Sequence, residues 1–189
     1  MHIMITVRRT QMKNKLKLSK YIACICEGGA ETAIMDILLS HDLLIFSKED
    51  LLEEEILRCR KAADFEKQYL KKQFDSKISV IRVLDRDNEN FNVSKPYKEK
   101  IEIVNIVTSP EIEMLIICNE NMYEEYCKVK SNLTPSNFCK QYISNLKYNK
   151  KMDDIYDYFD TPEKLVRAIK LYHEKHKTRS KYTLLDLLK

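Results

Sequence analysis

The chain has 189 residues, 44% of them hydrophobic and 33% charged, with a formal net charge of +4. That length suits one α/β unit with an appended helical segment, and the apolar fraction is enough to build a core. Apolar runs such as Tyr21–Cys26 and Met114–Cys118 are far too short to cross a bilayer, and no apolar signal core stands at the N-terminus, so a soluble, cytoplasmic protein with no membrane partner is expected.

Charge is unevenly distributed. Arg8, Arg9, Lys13, Lys15, Lys17 and Lys20 make the start basic, the stretch from Lys164 to Lys189 is basic again, and Asp42 to Glu55 is acidic. Taken alone this pattern reads as solvated surface. Beside a cluster of carboxylates it suits a protein that brings a polyanion to a metal. The six cysteines, Cys24, Cys26, Cys59, Cys118, Cys127 and Cys139, have no C-x-x-C spacing. Reduced, mostly buried thiols are expected in place of a disulfide framework or zinc site.

Residues 1–18 lack a sustained apolar period and read as a basic N-terminal arm. An α/β core is expected over 19–120. It begins with a buried strand, Tyr21–Cys26, in which Cys24 and Cys26 share a face. The strand ends at Glu27-Gly28-Gly29, and these are the only two glycines in the chain. Such placement predicts positive φ or a close backbone approach at the turn. Ala33, Ile34, Ile37 and Leu38 then fall at helical spacing, predicting a helix over Ala30–Ser40.

Leu43–Phe46 reads as a short strand, and Glu49 through Phe74 is rich in helix formers, predicting one or two crossover helices. Ile78–Leu84 has strand composition and stops at the polar turn Asp85-Arg86-Asp87-Asn88. A further strand, Ile101–Val107, stops at Thr108-Ser109-Pro110-Glu111. Strands joined by helical connections predict a small, mainly parallel, Rossmann-like sheet flanked by helices. Its ligand site is expected beyond the carboxyl ends of the strands, where these acidic turns fall. The remainder, 121–189, reads as a helical segment packed on the core. Helix starts are marked by Ser109-Pro110, Thr134-Pro135 and Thr161-Pro162, and the last opens an apolar stripe of Leu165, Ala168, Ile169 and Tyr172.

Asp85 and Asp87 stand two apart, so at an extended strand end both project to one side and can share a hard cation. Alone, Asp-x-Asp is an ordinary turn motif. Glu27 follows a separate strand, Glu31 lies one helical turn later, and Glu113 begins the helix after the third strand. Several carboxylates without histidine or cysteine favour magnesium or manganese over zinc. Such a site suits phosphodiester chemistry.

The arrangement Cys26-Glu27-Gly28-Gly29-Ala30-Glu31 after one strand, and Leu84-Asp85-Arg86-Asp87 after another, resembles the Toprim domain shared by topoisomerases, primases and nucleases of the overcoming-lysogenization-defect class. The stretch Ser109-Pro110-Glu111-Ile112-Glu113-Met114-Leu115-Ile116-Ile117 resembles the proline and glutamate element of RloB-like proteins, small Toprim proteins associated with phage defence. Tyr148-Asn149-Lys150 and Ala168-Ile169-Lys170 resemble that family's C-terminal helical elements, so the likeness spans about Tyr21 to His176.

The resemblance implies a Toprim-like fold in which Glu27 acts as general base or acid or as a metal ligand, and Asp85 and Asp87 hold Mg2+ (or Mn2+). Glu31 is a further candidate ligand, and Glu113 either binds metal or orients its turn through a helix N-terminal contact. Arg86, Lys150 and Lys151 are candidates for nucleic-acid contact, although exposed lysines in a polar loop are ordinarily just solvated. Met114 stands where the family has an aromatic residue, Cys118-Asn119 where it has histidine, and Ala30 where a hydroxyl residue or proline is frequent.

The implied activity is metal-dependent hydrolysis of RNA or DNA in phage defence. The chain has no G-x-x-x-x-G-K motif, so any nucleotide hydrolysis in the system needs a separate ATPase partner. The sequence leaves monomer and homo-oligomer open. The alternative function is a non-catalytic nucleic-acid-binding or regulatory module that keeps the fold and works with a partner protein.

Overall fold

The strands β1 (Tyr21–Cys26), β2 (Ile78–Leu84) and β3 (Ile101–Val107) form one three-stranded sheet in the order β1-β2-β3, with both pairings parallel. The computed structural model describes residues 16–85, 90–108, 112–143, 152–175 and 182–189. Register runs from Tyr21 opposite Ile78 and Ile101 to Cys26 opposite Val83, which pairs with Ile106. The three strand ends therefore come out side by side.

Alternation along β1 divides the core. Ile22, Cys24 and Cys26 enter the larger cluster on one face, while Ala23 and Ile25 enter a smaller one on the other. Central β2 is buried at every residue, which is why it reads as an almost continuous apolar run. Its polar members have partners: Ser79 Oγ accepts the Ser19 amide at 2.8 Å, and the Arg82 guanidinium lies 5.0 Å from the centre of the Phe91 ring.

The larger face is covered by α1 (Gly29–Ser40), α3 (Glu113–Asn119), α5 (Pro135–Tyr142), α6 (Met152–Tyr158) and α7 (Pro162–Lys175), with α4 (Tyr123–Val129) beyond α3. Every residue of α3 is buried, because α5 and α7 pack on it from outside. The two proline starts that can be seen hold. Thr134 Oγ1 accepts the Asn137 amide at 3.3 Å ahead of α5, and α7 begins at Pro162 and buries Leu165, Ala168 and Ile169. Ser109-Pro110 lies outside the described residues. Among the described residues, no helix is long and apolar enough to cross a membrane.

Two expected elements are different. Leu43–Phe46 forms no strand of the sheet; Leu44 makes an isolated antiparallel bridge with Leu188, flanked by hydrogen bonds from the amides of Ile45 to Leu187 and Lys189 to Leu43. The crossover over Glu49–Phe74 carries one of the expected helices, α2 (Ala62–Phe65) continuing as a π-type turn over Glu66–Leu70, but the part ahead of it has only short 3-10 turns and extended backbone.

The outer edge of β1 explains this. Leu51 bridges Ile22, Leu57 bridges Ile25, and the Leu57 amide donates to Cys24 O at 2.8 Å. Helix preference is worth only tenths of a kcal/mol per residue. Covering unpaired strand groups and burying two leucines outweighs it. The connection from β2 to β3 also carries no α-helix among its described residues, only a 3-10 turn over Lys95–Lys100.

None of the six cysteines forms a disulfide, and all but Cys127 are buried. The Cys26 thiol is pushed well above its ordinary range by its contact with Cys24 and by burial, so it stays protonated and unreactive at neutral pH.

Candidate active site

The carboxyl ends of β1 and β2 are fastened to one another by the first acidic residue beyond each. The Glu27 amide extends the ladder by donating to Val83 O at 2.9 Å, and the Asp85 amide donates to Glu27 Oε2 at 2.8 Å. The side chain of Glu27 thus reaches sideways along the sheet edge, over the end of β2. Thr108 closes the edge at β3, with its amide and its hydroxyl both donating to Leu84 O, at 2.9 and 3.1 Å.

Glu31, in the first turn of α1, is only 7% exposed. Burial raises its carboxyl pKa above the ordinary value, and the charges of Asp85, Glu27 and Glu113 add to the rise, while its own backbone amide lowers it. Glu113, which opens α3, is 3% exposed. The strand ends and two helix starts therefore bring Glu27, Asp85 and Glu113 close enough to Glu31 for their charges to act on it.

Gly28 serves this group sterically. Its φ of −129° is ordinary extended backbone, and neither glycine has positive φ. The alternative, close approach, holds for Gly28 alone: a Cβ there would stand 2.5 Å from Glu31 Oε2. A Cβ on Gly29 would meet Met152 Cγ at 3.4 Å, an ordinary contact. Gly29→Ala is therefore expected to be neutral or to stabilise by about 0.5–1 kcal/mol, since it fills a helix position. Gly28→Ala is expected to displace the Glu31 carboxylate and, if these carboxylates bind a divalent metal, to weaken that affinity by about tenfold or more. Melting curves with and without manganese compare the two; equal metal responses would remove the role assigned to Gly28.

Carboxylate oxygens are the kind of donor a hard divalent cation takes, and a cation near Glu31 would offset the negative charges acting on it. Even so, among the described residues no group of three or more histidine, cysteine, aspartate or glutamate side chains is arranged to hold a metal ion. Asp87, the second member of the Asp-x-Asp pair, lies outside the described residues, as do Arg86, Lys150 and Lys151.

At the far end of α3, Asn119 is buried and fully engaged. Its Oδ1 accepts from Arg167 Nε and Nη2 at 3.1 and 2.6 Å, and its Nδ2 donates to the Tyr158 hydroxyl, which donates in turn to Glu120 at 2.6 Å. These bonds brace α3 against α6 and α7.

Sequence patterning missed a cavity of about 540 Å³ beside the Gly28-Gly29 turn, lined in part by Lys48, Arg58 and Arg60. The signal was present as the basic run Arg58-Cys59-Arg60-Lys61. Helical composition around it concealed the extended backbone that turns both arginines outward. No protein-family model matches the chain, and no curated protein or solved structure shows significant similarity to it.

Proposed function

We propose that this chain is a Toprim-type, magnesium- or manganese-dependent nuclease that hydrolyses phosphodiester bonds of RNA or DNA, acting in the cytoplasm in phage defence. The observation that carries this reading is the joining of Glu27 to the Asp85 backbone at the carboxyl edge of a parallel sheet, with Asp85, Glu27 and Glu113 close enough to buried Glu31 for their charges to add to the rise in its pKa. The defence role rests on the RloB-like resemblance.

In this reading Asp85, Asp87 and Glu31 would hold the metal, which would supply charge stabilisation to the phosphate and its leaving oxygen. The Asp85 amide occupies Glu27 Oε2, which orients the carboxylate and leaves Oε1 to exchange a proton with the attacking water or the leaving oxygen. Glu113 either completes the donor set or orients the edge of the sheet from the start of α3.

The absence of a preformed ligand group among the described residues favours a second reading, a non-catalytic nucleic-acid-binding or regulatory module. A metal titration followed by melting temperature separates the two. Under the nuclease reading, magnesium or manganese at about 100 times its dissociation constant stabilises the wild type by about 2.7 kcal/mol and leaves Asp85→Ala unmoved. A wild type indifferent to both metals, and inert on RNA and DNA alone or with a partner ATPase, favours the binding module.

A further inference from the structure

The cavity at the outer edge of β1 is built differently from the carboxylate edge. Leu57 and Cys59 turn inward to the smaller core while Arg58 and Arg60 are exposed, the alternation of an extended segment. Both arginines line the cavity with Lys48, and Asp36, Glu54 and Glu55 line it too. The Asp36 carboxylate is engaged by the Tyr156 hydroxyl at 2.7 Å. Tyr156 and Ile56 add an aromatic and an aliphatic wall, and Gly28 and Gly29 form the border with the acidic site. The loop holding this wall contains Glu53 and Glu54 at φ of 59° and 53°, backbone strain of the kind that persists at ligand clamps.

We propose that this cavity seats one nucleotide of a single-stranded nucleic acid, its phosphate on Arg58 and Arg60, and delivers the next phosphodiester across the Gly28-Gly29 turn to the carboxylates. Its volume of about 540 Å³ lies within the range of pockets that take one small ligand. The mixed lining suits a nucleotide better than a bare anion. Guanidinium groups bind phosphate, while carboxylates accept from sugar hydroxyls and base amino groups. The aromatic wall offers the base a stacking surface that every sequence can use. A duplex keeps its bases stacked inside and presents none to such a pocket. The inference rests on the nuclease reading for its substrate class.

Fluorescence polarisation with short, dye-labelled single-stranded RNA and DNA, in EDTA to prevent cleavage, tests the pocket through binding alone. The exposed pair Arg58→Glu/Arg60→Glu is expected to weaken binding about tenfold or more and to flatten the salt dependence by about two units. The control Lys128→Glu/Lys140→Glu makes the same charge change on exposed positions of α4 and α5 and is expected to alter binding less than about threefold. Circular dichroism checks that both variants fold.

Equal losses in the two variants, or no loss in the arginine pair, overturn the pocket, as does a wild type that binds neither strand. So does displacement of the probe by a free mononucleotide as readily as by the unlabelled strand. Selective loss in the arginine pair supports the pocket even if the wild type cleaves nothing, in which case the catalytic reading alone fails. A metal response that depends on Asp85 tests that reading separately.

Discussion

Replacing Glu27 with glutamine is expected to lower phosphodiester cleavage by roughly 10²–10⁴ while leaving the fold intact. Glutamine retains an oxygen that can accept the Asp85 amide, so the 2.8 Å tie between the ends of β1 and β2 survives. What would be lost is the proton exchange proposed for Oε1. Glu27→Ala removes the tie as well and is expected to weaken the metal-dependent rise in melting temperature, which Glu27→Gln reduces less. Single-turnover cleavage of labelled RNA and DNA, with melting curves on the same preparations, reads both effects. Cleavage by Glu27→Gln at the wild-type rate would remove Glu27 from the chemistry.

In metal-free buffer, Glu31→Gln is expected to be more stable than the wild type near neutral pH, by about 1 kcal/mol or more, which is about 2–4 °C for a chain of this size. Burial and the surrounding carboxylates raise the Glu31 pKa above its ordinary 4.5. Between the unfolded and folded values, the native state therefore holds a proton that the unfolded chain has released. Stability attributable to this group is present at low pH and is lost as pH rises through the folded value. Glutamine has nothing to ionise, so this part of the pH dependence should vanish. Saturating magnesium or manganese should narrow the difference by neutralising the wild-type cluster. Thermal melts across about pH 4–8 with EDTA provide the measurement, and a variant less stable than the wild type at the upper end would show that Glu31 is held by favourable contacts.

Both outcomes depend on side chains at the strand ends, and the strands are the part most legible from sequence. Tyr21–Cys26 and Ile78–Leu84 are apolar because parallel strands bury both faces, and both lie where composition predicted them. The helix after Gly28-Gly29 and the stripe of α7 were equally plain, since each shows a sustained helical period against one core. Acidic turns beyond the strand ends followed from chain order.

Within Glu49–Phe74 the helix over Ala62–Leu70 follows composition, but the part before it was misread because its residues also favour helix locally. The demand that overrode them, pairing the outer edge of β1, comes from residues far away in sequence. Leu43–Phe46 was misread for a related reason: its partner is the C-terminal segment around Leu188, which no local window contains.

The amino-acid sequence by itself determined the α/β class, the parallel strands and the presence of acidic residues at their carboxyl ends, because period and turn chemistry are local properties. Tertiary structure alone decided that Glu27 reaches across to the Asp85 amide, that Glu31 is buried against Gly28, and that Arg58 and Arg60 border the same turn. Those relations depend on strand register and on what covers the sheet edge, and both are settled only when distant segments pack together.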